Sequence, residues 1–164
     1  MKNYSLVSET SEILQQQCEP WNWDTDGEIA DLGKEMLKVM FENMGIGLAA
    51  PQIGLNKRVF VMGTPSASYI CVNPEIIEGQ GQIKDQEGCL SYPGLYLHVN
   101  RYETVKVRYQ DILGKAHEKE FTGIMARVFQ HEYDHLNGIC FVNKVSKLSL
   151  DLATKRRRKN MKRQ

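Results

Sequence analysis

Residues 124–137 carry His131-Glu132-Tyr133-Asp134-His135 in a stretch that reads as a helix, with Thr122 as an N-cap candidate and Gly138 suited to a left-handed C-terminal cap. On a helix the i, i+4 spacing brings both imidazoles to one face, where they can chelate one metal. Glu132 is left free to act on water rather than on the metal itself. The chain is therefore expected to fold around this helix.

The remaining pattern surrounds it with α+β structure. Ile29, Leu32, Met36 and Met40 recur at helical spacing over residues 28–43, with Asp24, Thr25 and Asp26 as N-cap candidates. Residues 58–62 and 69–72 read as short strands. Residues 104–109 alternate and meet 116–121 across Asp111-Ile112-Leu113-Gly114, which predicts a hairpin. A short strand is expected over 139–142. From about Ser149 the sequence favours a helix whose cations come late, in keeping with the macrodipole. The fold expected is antiparallel sheets around the central HExxH helix, with an N-terminal helix and a basic C-terminal one.

At 164 residues, 41% apolar and 25% charged, the chain can bury one core. No stretch approaches the roughly 20 apolar residues of a membrane span, and no apolar run of signal-peptide length opens the chain, which points to a cytoplasmic protein without a membrane partner. Cys18, Cys71, Cys89 and Cys140 form no CxxC pair, so a disulfide framework is not expected. Charge is uneven: residues 144–164 carry +8 and the remainder −7. The expected division is a catalytic unit, 1–146, and a basic tail, 147–164, that needs an explanation of its own.

A catalytic site of this kind needs a third protein ligand and an open position. The metzincin extension HExxHxxGxxH fails here, because Phe141 stands where its last histidine belongs. A glutamate from a later helix fails too, since none follows His135. The ligand must come from upstream, where Cys89 lies in the loop-like Glu87-Gly88-Cys89-Leu90-Ser91. A thiolate with two imidazoles suits Fe(II), Ni(II), Co(II) or Zn(II). Cys18, Cys71 and Cys140 read as small buried hydrophobes.

Gly45-Ile46-Gly47-Leu48-Ala49-Ala50-Pro51-Gln52, then EGCLS at 87–91, then QHExDHLxG at 130–138 give three motifs in order, and through them the chain resembles peptide deformylases of the bacterial and plastid type. The resemblance implies a hydrolase removing the N-formyl group from nascent polypeptides that begin with formyl-methionine. It puts one divalent metal, Fe(II) in the cell with Ni(II), Co(II) or Zn(II) as replacements, on Cys89, His131 and His135. Metal-bound hydroxide would attack the formyl carbon, Glu132 would shuttle the proton, and the Gln52 amide with the Leu90 N–H would stabilise the oxyanion. Gly45 and Gly47 would let backbone approach substrate, with Ile46 and Val128 as candidates for the methionine pocket. A metal-bound histidine usually donates its other N–H to a carboxylate or carbonyl, for which Glu87 or Asp134 could serve; the resemblance adds Arg101 as the ion-pair partner of Glu87. It also makes the ribosome a candidate partner for the basic tail. A non-catalytic ribosome- or RNA-binding relative is the reading from another class, and the intact Gln52, Cys89, Glu132 and both histidines weigh against it. Leu48 is assigned to the core, Trp21 and Trp23 to loop packing, and His98 and His117 to surface or structural roles. The divergent segment 8–20 departs from the family's usual start.

Overall fold

The computed structural model describes residues 3–164; residues 1 and 2, where the expected catalytic unit begins, lie outside the described residues. Among the described residues three α-helices, α1 (Ile29–Glu42), α2 (Gly123–Leu136) and α3 (Lys147–Met161), accompany seven strands. β1 (Gly47–Ala49), β2 (Val59–Thr64), β3 (Ala67–Gln80), β6 (Thr104–Gln110) and β7 (Ala116–Thr122) form an antiparallel sheet in the order β1-β2-β3-β6-β7. β4 (Ile83–Glu87) and β5 (Leu97–Arg101) form a separate antiparallel ribbon. This is the α+β arrangement expected.

Strand β2 shows why the large sheet sits in the middle. Its run from Val59 to Met62 is fully buried, and alternate side chains turn to opposite faces. Val59 and Val61 join Leu32, Met36 and Met40 of α1, whereas Phe60 and Met62 join Phe129 and Leu136 of α2. Phe60 meets Phe129 edge-on with centroids 4.9 Å apart, and Phe129 in turn stacks near Phe121. Truncating Phe129 would remove the centre of that cluster, which typically costs about 3–5 kcal/mol. α1 approaches β3 so closely at Gly33 that a Cβ there would stand 2.5 Å from Ile70 Cδ1.

The hairpin of residues 104–110 and 116–122 is as expected, with Thr104 opposite Thr122 and Gln110 opposite Ala116. Strand β3 runs far beyond the expected 69–72, because irregular pairing between Val72 and Glu75, with Asn73 at φ +48°, lets one strand bend without ending. The expected strand over 139–142 is not formed: Phe141–Lys144 is a 3-10 turn. There Phe141 is drawn inward to 1% exposure, and the Asn143 side chain accepts the Cys140 N–H at 2.9 Å. None of Asp24, Thr25 and Asp26 caps α1, whose N-cap is Glu28 without a side-chain bond. Asp26 instead accepts the Asn22 N–H and pairs with Lys57 at 2.8 Å. Thr122 is the N-cap of α2 but makes no side-chain cap bond, and Gly138 adopts φ +71° at the other end.

The last helix begins two residues earlier than Ser149, with Ser146 accepting the Ser149 N–H at 3.2 Å. Ala153 and Leu150 seat it against Leu95, Leu97 and Val99, while Arg157 pairs with Glu9 at 2.7 Å. Leu148, Leu152 and Met161 remain exposed. Among the described residues no helix is long and apolar enough to cross a membrane.

Candidate metal centre

α2 lies between the large sheet and the ribbon, so the face bearing His131, Glu132 and His135 is buried. Cys89 follows directly on β4 after Glu87 and Gly88. Its Sγ lies 3.4 Å from His135 Nε2, and one donor atom from each of Cys89, His131 and His135 falls within 4.8 Å of the others. Donors bound to one tetrahedral ion at about 2.3 Å for sulfur and 2.0 Å for nitrogen stand roughly 3.5 Å apart, so this trio fits a small divalent cation. The donor set is soft to borderline, and Glu132 Oε2 is buried beside it with no hydrogen-bond partner among the described residues.

Glu87 organises the far side of His131. Oε1 accepts from Arg101 Nε at 2.7 Å and Arg127 Nη1 at 2.8 Å; Oε2 accepts from Arg101 Nη2 at 3.0 Å and faces His131 Nδ1 at 2.9 Å. Holding Nδ1 there leaves Nε2 for a metal. Arg101 also reaches Asp134, so both acidic candidates for supporting the histidines belong to one network. Burial would raise the Glu87 carboxyl, but hydrogen bonds from His131 and Arg101, with the charges of both, hold it down to about 2.

The other groups diverge. Burial, with the Glu87 charge nearby, pushes the Glu132 carboxyl up to about 7 against the opposing pull of His131. Burial disfavours a charged His131, yet hydrogen bonds to Cys89 and Glu87 lift it to about 10, a proton that must leave when a metal binds. Burial and the neighbouring His131 hold His135 far below its ordinary value, so it stays neutral.

Gln52 stands in the 3-10 turn Ala50–Ile53 that follows β1. Its Oε1 accepts the Ala49 N–H at 2.8 Å, and its Nε2 donates to Ser91 Oγ at 3.0 Å with Cys89 Sγ 3.5 Å away. Leu90 lies in the turn closed by the Tyr92 N–H on the Cys89 carbonyl, and among the described residues its own N–H has no backbone acceptor.

These groups open onto a cavity of about 570 Å³. Gly45, Ile46, Gly47, Val128 and Glu87 all line it; Arg101 and His135 do not. The two glycines differ in what they admit. A Cβ on Gly47 would lie 2.3 Å from Glu132 Oε1 and 2.8 Å from Val128 Cγ1, so its absence makes room for the carboxylate. A Cβ on Gly45 would lie 2.6 Å from Leu90 Cδ1, so that glycine admits a leucine side chain of the chain itself.

Sequence reasoning passed over Arg127, Ser91 and the exposed apolar rim of Met44, Tyr96 and Ile124. Arg127 precedes His131 by four residues on the same helix, and that spacing was its available signal. Ser91 is the last residue of EGCLS. His98 is exposed, and His117 is bonded to Asp111 at 2.7 Å. Leu48 is buried in the core and Trp21 packs beside it; Trp23 bonds Gln110 from a partly exposed position.

The polypeptide deformylase family matches residues 4–151. A peptide deformylase of Acidobacterium capsulatum is 40% identical over 159 residues, covering 94% of this chain and 93% of that protein. One from Prochlorococcus marinus strain NATL1A is 45% identical over 127 residues, covering 74% of this chain and 63% of the relative's length. Among solved structures, a class I type b peptide deformylase from Acinetobacter baumannii with Met-Ala-Ser bound has TM-score 0.81 and 34% identity, covering 87% and 98% of the two chains.

Proposed function

The chain belongs to the polypeptide deformylase family, and on that premise we propose that it hydrolyses the formyl amide at the N-terminus of formyl-methionyl polypeptides, releasing formate and a free amine. The observation that carries the reading is the convergence of Cys89, His131 and His135 beside the buried Glu132 carboxylate, whose Oε2 has no hydrogen-bond partner among the described residues, at a cavity that Cys89, His131 and Glu132 line. Met-Ala-Ser on the Acinetobacter protein supports the substrate class.

Cys89 Sγ and one ring nitrogen each from His131 and His135 would hold the ion, with Fe(II) in the cell and Ni(II), Co(II) or Zn(II) as replacements. Thiolate and imidazole donors suit all four. When bound, such an ion supplies Lewis acidity, polarising a carbonyl and making water easier to deprotonate. Glu132 takes the proton from the attacking water and returns it to the departing amine nitrogen. Burial, which raises its carboxyl above the ordinary carboxylate range, supports both roles. Gln52 Nε2 and the Leu90 N–H receive the developing oxyanion, a contribution worth on the order of 10² to 10³ in rate for one donor. Glu87, oriented by Arg101, keeps His131 in the tautomer that binds metal. Gly45, Ile46, Gly47 and Val128 border the space for the methionine.

The catalytic unit, on this reading, ends near residue 146. Helix α3 then offers its excess of cations to the ribosome, in the cytoplasm where nascent chains emerge. Formate release from formyl-Met-Ala-Ser by anaerobically prepared iron- or nickel-loaded protein tests the activity. Loss in Glu132→Ala is expected alongside it, and no release by the intact loaded protein would overturn the reading.

A further inference from the structure

Both ends of the Gln52 amide are pinned inside the protein, the residue being 1% exposed. The Ala49 N–H at 2.8 Å requires an acceptor opposite it, which fixes Oε1 on that side and turns Nε2 toward Ser91 and Cys89. An amide nitrogen carries two hydrogens. Ser91 Oγ, 3.0 Å away and on a residue 2% exposed, accepts one of them; the other is left to the Cys89 side, where Sγ lies 3.5 Å away.

We propose that Ser91 is a positioning residue for hydrolysis: its hydroxyl holds one Gln52 Nε2 hydrogen so that the other is presented toward Cys89, where the oxyanion develops. The assignment rests on the oxyanion role proposed for Gln52. A donor fixed before the reaction stabilises developing charge more than one that must first be turned into place. Without Oγ, a buried N–H loses its acceptor, and the amide is free to swing away from the Cys89 side. The turn that carries Ser91 is itself closed by the Tyr92 N–H on the Cys89 carbonyl at 2.9 Å, so Oγ sits on a hydrogen-bonded turn.

The test compares Ser91→Ala, Ser91→Thr, Gln52→Ala and the Ser91→Ala/Gln52→Ala double variant as nickel-loaded full-length proteins on formyl-Met-Ala-Ser. Ser91→Ala should lower kcat about 10-fold, the lower range for groups that orient a metal site, with KM within about twofold. Ser91→Thr, which keeps a hydroxyl, should recover most of the loss. Gln52→Ala should lose on the order of 10² to 10³, and adding Ser91→Ala should cost nothing more. A Gln52→Ala enzyme as active as the parent overturns the oxyanion reading itself. A Gln52→Ala enzyme that is impaired, with Ser91→Ala costing the same factor in both backgrounds, overturns only the positioning role. The side-chain amide of Gln52 in proton–nitrogen NMR spectra of the zinc-loaded parent gives a readout that needs no Ser91 variant to fold. Slow exchange of its Nε2 protons with solvent is expected, and free rotation with rapid exchange of both overturns the proposal.

Discussion

Replacing Glu87 by glutamine keeps the shape of the side chain and removes its charge, so it isolates what the carboxylate holds together. Each oxygen accepts from two donors: Oε1 from Arg101 and Arg127, Oε2 from Arg101 and His131. Whichever oxygen becomes an NH₂ group then faces two donors with nothing to accept them. The side chain is 4% exposed, so water cannot substitute. Removing one partner of a buried ion pair typically costs about 3–5 kcal/mol. The depression of the carboxyl from 4.5 to about 2 gives a second route. At 1.36 kcal/mol per unit, that shift corresponds to about 3 kcal/mol. Urea denaturation of Glu87→Gln against the parent should therefore show a loss of about 3 kcal/mol at neutral pH. Metal titration should show affinity lowered about 10- to 100-fold. A loss below about 1 kcal/mol with unchanged metal affinity would refute the assignment of Glu87 as the charged hub.

The same residue sets an acid limit: because its folded-state pKa lies below the unfolded value, its stabilisation is present above pH 4.5 and lost as pH falls toward 2, so the parent should lose in that window an increment that Glu87→Gln lacks. Glu132 has the opposite sign, since burial raises it to about 7; metal-free parent should lose stability relative to Glu132→Gln as pH rises from 5 to 8, by denaturation at each pH, while the variant's deformylation falls about 10²- to 10⁴-fold. Gly47→Ala puts a methyl group against Glu132 and Val128 and should lower kcat while the metal content measured by atomic absorption stays near that of the parent. Phe129→Ala should destabilise the fold by about 3–5 kcal/mol in thermal or urea melts, a cost set by packing alone.

The helix with its two histidines was legible because spacing on a helix determines which side chains share a face, whatever the tertiary context. Elimination sent the search for a third donor upstream, the motif drew it to Cys89, and the structure brings Cys89 beside both histidines. What escaped was the long-range pairing of charges. Arg127 reads in sequence as one cation on a helix, and only the return of residues 83–101 beneath that helix gives it Glu87 and the Val99 and Ile83 carbonyls as partners. The expected strand at 139–142 failed for a related reason. Residues 139–142 are a continuous apolar run, but Phe141 uses its burial to pack against His131 and Tyr92, with ring centroids 5.7 and 5.6 Å away. The cap candidates before α1 were misjudged because Asp26 serves Lys57, a partner 31 residues away that local pattern cannot reveal.

The proposed ligands are divided between separately paired parts of the chain: Cys89 follows the ribbon, and the histidines ride on a helix packed against the large sheet. Neither part holds a complete donor set before the other has docked. On that assignment, a chain still being synthesised cannot complete the donor set until residues through His135 have emerged.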